Sequence, residues 1–175
     1  MITRISKRLT SFKDAGLKYI HDKAGKLYES IEWTHTLNMV VNQPKTSMKY
    51  MAYIVNSSTK LKIEAGISLA GRKATRGSVY TFSLSWHPEE TPNKLEMIEA
   101  ASETIEILGL EDYQAIVIAY QKTTNQHIRI ICNLVNPYNG RTKVISHDRR
   151  KLSKWAAEYE EKNGKIYCQR WNGKV

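Results

Sequence analysis

Three short segments rich in β-branched and aromatic residues constrain the fold of this chain more than any other feature. Val79 to Trp86 alternates large and smaller side chains, which predicts a strand with one face in a core. Ala115 to Ala119 is a short apolar run typical of a buried strand. His127 to Val135 predicts another strand, and the sequence Asn136-Pro-Tyr-Asn-Gly after it predicts a turn. The chain must therefore build a sheet from segments that are far apart in sequence.

Apolar residues at helical spacing predict four helices around these strands. The first follows an N-cap at Ser11, and the third begins with Thr91 as cap and Pro92 in the first helical position. The core stripe predicted for the third helix is Met97, Ile98, Ala101, Ile105 and Leu108. The second and fourth helices are predicted at Thr46 to Val55 and Arg149 to Lys162, with a short strand at Ile31 to Thr34 and an ambiguous segment at Lys60 to Ala70. Because strands and helices do not alternate regularly, the order favours an α+β fold.

Charge is segregated along the chain. Between Glu89 and Asp112 there are eight acids and one base, a local charge of −7, so the rest carries +17 to reach the net charge of +10. The basic residues concentrate at Arg4 to Lys26, Lys60 to Arg76 and Arg141 to Lys174. One acidic element on a basic body indicates a side that faces a polyanion, and nucleic acid is the first candidate.

The strand from His127 carries the residues of most chemical interest. A period of two puts His127, Arg129, Ile131 and Asn133 on one face, and it puts apolar residues on the other, core-facing side. An imidazole and a guanidinium then project side by side from an open sheet face. Two interpretations stay open, a partly solvated sheet surface and a site for a phosphate group.

No run of about 18 apolar residues occurs, so no membrane span is predicted. The N-terminus lacks the apolar stretch of a secretory signal. Cys132 and Cys168 have no metal-type spacing and are expected to be reduced. We therefore expect a cytosolic protein.

Three stretches of the chain form an ordered set. They are Ser11 to Lys23 with Ile31 to Asn38, then Ala65 to Lys73 with Val79 to Pro88, and then Leu110 to Ile118 through Asn133 to Arg141 and Lys151 to Ala156. In this order they resemble the mobilisation-type plasmid relaxases, which are DNA-strand transferases of the HUH endonuclease class. The resemblance covers nearly the whole chain.

This resemblance implies an antiparallel sheet of about five strands with flanking helices and a cleft for single-stranded DNA. In active relatives a tyrosine attacks one phosphodiester at the transfer origin and forms a phosphotyrosyl adduct. A divalent cation held by a histidine cluster polarises that phosphate. The nucleophile position falls on Tyr19. Tyr19 is alternatively an aromatic side chain buried under a helix.

The cation site is where this chain departs from its relatives. They carry the pattern His-x-Asp-x-x-His-x-His-x-His, with Asn four residues further on. Aligned on Asn133, only His127 is retained, and the other positions hold Tyr120, Lys122, Asn125 and Arg129. One imidazole beside two permanent cations does not hold Mg²⁺ or Mn²⁺. We therefore expect no metal cofactor, and Mg²⁺ or Mn²⁺ only where nicking survives.

Three hypotheses about function follow. In the first, the domain is a relaxase that has lost metal-dependent nicking and still binds DNA. In the second, Arg129 and Lys122 replace the cation electrostatically and Tyr19 nicks DNA without metal. In the third, the scaffold is a protein-docking or regulatory module that uses the acidic helix from Glu96 to Glu106. The candidate catalytic residues are Tyr19, as nucleophile, and His127. The DNA- or phosphate-binding residues predicted for the first hypothesis are Lys122, Arg129, Asn133, Arg72, Lys73, Arg76 and Arg141.

We favour binding without cleavage, because a side-chain charge lacks the multi-oxygen geometry of a metal. Residues 1–175 are expected to form a single DNA-binding domain, the N-terminal part or the whole of a relaxase relative. The expected partners are single-stranded or hairpin-containing DNA at a transfer origin and relaxosome accessory or coupling proteins, in the bacterial cytoplasm.

Overall fold

The fold is seen in a computed structural model of the 175-residue chain, which describes residues 1–6, 8–21, 23–24, 26, 28–70, 77–121 and 125–167. Ten elements follow one another in the described residues. They are β1 (Ile2–Ile5), α1 (Phe12–Tyr19), β2 (Ile31–Leu37), α2 (Pro44–Asn56), α3 (Ser58–Glu64), β3 (Val79–Ser85), α4 (Lys94–Ile107), β4 (Ala115–Tyr120), β5 (His127–Asn133) and α5 (Asp148–Lys162).

The five strands form one antiparallel sheet in the order β1-β3-β5-β4-β2. This confirms the predicted α+β class and the five-stranded sheet that the resemblance implied. The three strands predicted with the strongest patterns, β3, β4 and β5, occupy the centre. β1 was not predicted, because it has only four residues and two of them are polar.

The sheet is covered by helices on both faces. One core joins α4 and α5 to Tyr80, Phe82 and Leu84 of β3 and to the alternate residues Ile128 and Ile130 of β5. A second core joins α1 and α2 to the opposite face of the same strands. Its buried members are Phe12, Ala15, Tyr19, Ile20, Met48, Met51, Val79, Ile116, Ile118 and Ile131. The face predicted to be open is therefore largely covered.

The start of α4 differs from its prediction. Asn93, rather than Thr91, is the N-cap, and its side chain accepts a hydrogen bond from the backbone N–H of Glu96 at 3.0 Å. The Glu96 carboxylate accepts in return from the Asn93 backbone N–H at 2.8 Å, which completes a capping box. Two reciprocal hydrogen bonds outweigh the preference of Pro92 for the first helical position. Within the helix Ala100 and Thr104 are buried, whereas Ile98 is only half-buried.

None of the helices in the described ranges has both the length and the apolar character needed to cross a bilayer.

Gly140 ends the predicted turn after β5 and brings it against α3. Its φ is +65°, and an added Cβ would lie 2.2 Å from the Ser58 carbonyl oxygen. Gly66 has a similar φ of +68° but open space around it.

We expect Gly140→Ala to lower the free energy of unfolding by more than about 2 kcal/mol, because the side chain adds a backbone clash to the left-handed strain. The matched variant Gly66→Ala has the strain alone and is expected to lose about 1 kcal/mol. Urea unfolding followed by circular dichroism measures both losses. Equal losses for the two variants would contradict the close contact at Ser58.

Candidate nucleic-acid interface

Within the described ranges, the second face of the sheet is uncovered at the end where β5 begins. Along β5, Asn133 and Ile131 are buried beneath α1 and α2, whereas Arg129 and His127 are half-buried. The helix α1 ends at Tyr19, over Arg129. The prediction of one open face from His127 to Asn133 is therefore corrected to a short open end.

The register of the sheet places polar side chains side by side at this open end. Ser83 of β3 pairs with Arg4 of β1 on one side and with Arg129 of β5 on the other. Since neighbouring strands are about 4.8 Å apart, the two arginine Cα atoms flank the serine at a separation of about 10 Å. The same register aligns Ile2, Ser85 and His127 in the next row.

These two rows form the floor of an open groove of ≈ 400 Å³, which we call the arginine groove. The described residues that line it include no carboxylate, and their positive charge comes from two guanidinium groups. The lining residues are Ile2, Arg4, Ser83, Ser85, Asn125, His127 and Arg129. Fixed cations beside hydroxyl donors suit an oxyanion.

Arg129 joins the groove to the end of α1. Its Nη1 donates a hydrogen bond to Ser6 Oγ at 2.8 Å. Its Cζ atom lies 4.3 Å from the centre of the Tyr19 ring, within the range of a cation–π contact. The Lys18 ammonium lies 5.2 Å from the same ring centre. Two cations therefore flank one phenol.

The pKa of Tyr19 responds to these neighbours. Burial raises the pKa of the phenol, but hydrogen bonding by Lys18 and Ser6 and the positive charge of Arg129 together lower it below its ordinary value. The phenolate is thus stabilised by fixed positive charge. The side chain is nevertheless only 7% exposed and belongs to the second core.

Tyr120 contacts both β5 and the end of α1. Its ring stacks on the His127 ring, with centroids 5.1 Å apart and an interplanar angle of 14°. Its hydroxyl donates to the Tyr19 carbonyl oxygen at 3.0 Å. Burial is the largest influence on the pKa of Tyr120 and raises it, so the phenol stays a neutral donor. Tyr120 occupies the first position of the relatives' histidine pattern, and in this chain it packs on His127 and hydrogen-bonds to the end of α1.

A divalent cation does not fit these residues. Arg129 brings a permanent charge to the position of one ligand, and Tyr120 is engaged with His127 and with the end of α1. In the described part of the chain, no group of three or more His, Cys, Asp or Glu side chains could hold a metal ion. Mg²⁺ and Mn²⁺ need several oxygen or nitrogen donors, which a single imidazole does not replace.

Two other predicted phosphate-binding residues lie away from the groove. Asn133 is fully buried, and its Nδ2 donates to Gln114 Oε1 at 3.0 Å while its Oδ1 accepts from the Val135 backbone N–H at 3.0 Å. It is a structural residue without access to DNA. Arg141 is exposed and lies in the turn beyond Asn133, the opposite end of β5 from His127, and the strand itself is about 20 Å long.

The remaining predicted residues, Arg72, Lys73, Arg76 and Lys122, lie outside the described residues. Arg4, Ser6, Ser83 and Ser85 were missed. The alternation of β3, with serine and threonine between large apolar residues, was the available signal for Ser83 and Ser85. The sequence could not place Arg4 in the site, because its position depends on the pairing of β1 with β3 and β1 was not predicted.

Comparison with known proteins identifies the family. The family model described as "Relaxase: MobA/VirD2-like, nuclease domain" matches residues 19–165, most of the chain. A chain solved in work on the molecular basis of vancomycin resistance transfer in Staphylococcus aureus matches with a TM-score of 0.54 and 13% identity, covering 100% of both chains. At that identity the likeness supports the fold. No curated protein matches this chain in sequence. The match to the family model, which covers most of the chain and includes Tyr19, Tyr120, His127 and Arg129, shows that the chain belongs to the relaxase family with a MobA/VirD2-like nuclease domain.

Proposed function

We propose that this relaxase-family domain binds single-stranded DNA and holds one phosphate in the arginine groove, without metal-dependent nicking. The observation that carries the proposal is the Arg129 guanidinium, fixed by Ser6 and placed over Tyr19. A guanidinium presents several N–H donors in a rigid plane, which matches the oxygens of a phosphate. Arg4 and Ser83, in the same row, supply a second charge and a hydroxyl.

The position of Arg129 opposes a metal at the same place. A divalent ion close to a fixed guanidinium meets repulsion that no neighbouring carboxylate in the groove offsets. A phosphate diester carries the opposite charge and needs no such compensation. The same residue thus favours the DNA backbone and disfavours the cation that relatives use.

We further propose that residues 1–175 act as one DNA-binding domain. Its partners are single-stranded or hairpin-containing DNA at a transfer origin, with relaxosome accessory or coupling proteins, in the bacterial cytoplasm. The family match supports the relaxase-like role, and we propose DNA at a transfer origin as the ligand.

A second candidate function is slow nicking by Tyr19 without metal. The lowered pKa of the phenol favours it. In that reaction the phenolate oxygen forms a bond to phosphorus as one bridging phosphorus–oxygen bond breaks, and the leaving sugar oxygen takes a proton from solvent. The low exposure of Tyr19 and its contact with Arg129 favour binding over attack.

We expect Arg129→Gln to weaken binding of a labelled single-stranded oligonucleotide by roughly ten- to hundredfold, since a charge-assisted hydrogen bond contributes about 1.5–3 kcal/mol. The slope of log affinity against log salt should fall by about 0.7 for one lost phosphate contact. Fluorescence anisotropy across a salt series measures both quantities.

The control variant for this test is Lys154→Gln, which removes the same charge from an exposed side chain of α5. We expect its affinity to stay at the wild-type value. Equal affinities for Arg129→Gln and Lys154→Gln, with both variants folded by circular dichroism, would refute a phosphate contact at Arg129.

We expect no covalent protein–DNA adduct from the wild-type domain, either in EDTA or with Mn²⁺, and we expect Tyr19→Phe to bind DNA as tightly as wild type. Denaturing electrophoresis of a labelled strand detects the adduct. An adduct in EDTA that Tyr19→Phe abolishes would establish the second candidate. Its yield would increase with pH through the lowered pKa of Tyr19, because the phenolate is the attacking form. An adduct that needs Mn²⁺ would overturn the proposal.

A further inference from the structure

The arginine groove does not end at the edge of the sheet. Arg4 also lines a second depression of ≈ 300 Å³, together with Thr3, Ile5, Arg149 and Ser153. Ile5 and Arg149 in turn line a third depression of ≈ 690 Å³. Neighbouring depressions share residues, so they follow one another from β5 around the edge strand β1 to the beginning of α5.

Positive charge follows this course. Arg4 and Arg149 are exposed, and Arg8 is half-buried, with its Cζ 5.8 Å from the centre of the Tyr80 ring. Together with the exposed His147 they form what we call the β1 edge path. Among the residues that line the two outer depressions, the acid is Asp148, and its Oδ2 accepts a hydrogen bond from the Tyr80 hydroxyl at 3.2 Å.

The arginines of this path are not neutralised within the described residues, where no ion pair to an acid involves Arg4, Arg8 or Arg149. A row of like charges without partners is unfavourable unless an anion of matching length covers it. The sugar–phosphate backbone of a single strand is such an anion, with one charge in every nucleotide. β1 is also the edge strand of the described sheet, so its outer backbone N–H groups face the path.

We propose that the β1 edge path binds the sugar–phosphate backbone of the same DNA strand whose phosphate lies in the arginine groove. The strand leaves the groove at Arg4, passes Arg149 and reaches Arg8. This inference rests on the proposed function and extends it from one phosphate to a track of several. It assigns a DNA contact to α5, a helix that lies across the sheet from Tyr19.

The test compares two single-stranded oligonucleotides of the same composition, one of about 5 and one of about 15 nucleotides, which lie near the two ends of the ordinary range of single-strand site sizes. We expect the double variant Arg8→Gln, Arg149→Gln to weaken binding of the long oligonucleotide by about tenfold or more. Its salt slope should fall by about 1.4, for two lost contacts. Binding of the short oligonucleotide, which occupies the groove, should not change.

The matched control is Arg150→Gln, which removes the neighbouring charge from α5 at an exposed residue outside the three depressions. We expect wild-type affinity for both oligonucleotides. Because Arg8 contacts Tyr80 and its loss could affect folding, the single variant Arg149→Gln serves as the second measurement. We expect it to weaken binding of the long oligonucleotide severalfold and to lower the salt slope by about 0.7.

Distinct outcomes separate failure of the path from failure of the proposed function. If the double variant binds the long oligonucleotide as tightly as Arg150→Gln does, the path is refuted while the groove stands. The path is likewise refuted, and the groove stands, if wild type binds the two oligonucleotides with equal affinity. If wild type binds neither length, or if Arg129→Gln affects neither, the proposed function fails and the path with it.

Discussion

The contact between the Arg129 guanidinium and the Tyr19 ring is the interaction on which the candidate site depends. The Cζ atom of this guanidinium lies 4.3 Å from the ring centre of a phenol that is itself nearly buried. The hydrogen bond to Ser6 fixes this guanidinium between α1 and the sheet. The Arg129 charge disfavours a divalent ion and favours an anion, and together with hydrogen bonds from Lys18 and Ser6 it lowers the pKa of Tyr19. Loss of a ligand weakens a metal site, but an arginine in its place also changes which charge the site attracts.

The architecture of the sheet explains why so few residues reach the solvent. β5 lies at the centre, between β3 and β4, and both of its faces meet helices. Only the end where β5 begins extends beyond α1, and there the pairing with β3 and β1 brings Ser83 and Arg4 beside Arg129. The groove is therefore assembled by register, from three strands that are separated by most of the chain. Its extension around β1 follows from the position of that strand at the edge.

The sequence predicted the parts of the fold that have strong local patterns. β3 and β5 were predicted from alternating side chains, β4 from its apolar run and α5 from apolar residues at helical spacing, whereas the four-residue β1 was missed. The reversed charge of the cation site was expected from the identities at Lys122 and Arg129, and the structure describes Arg129 of the two. The sequence did not predict that α1 and α2 cover the second sheet face. Periodicity shows which residues of β5 share a face, but it does not show which helix packs on that face. For the same reason Asn133 was expected to bind phosphate and is instead buried among Gln114, Val135 and Met51.

We propose that a guanidinium holds a DNA phosphate at the place where relatives of this domain hold a cation. The most direct measurement is a crystal structure of the domain with a short single-stranded oligonucleotide, grown in the presence of Mn²⁺. We predict a phosphate oxygen about 2.7–2.9 Å from a guanidinium nitrogen of Arg129, with no manganese within the arginine groove. A manganese ion bound to His127, with Arg129 turned away from the phosphate, would contradict the account.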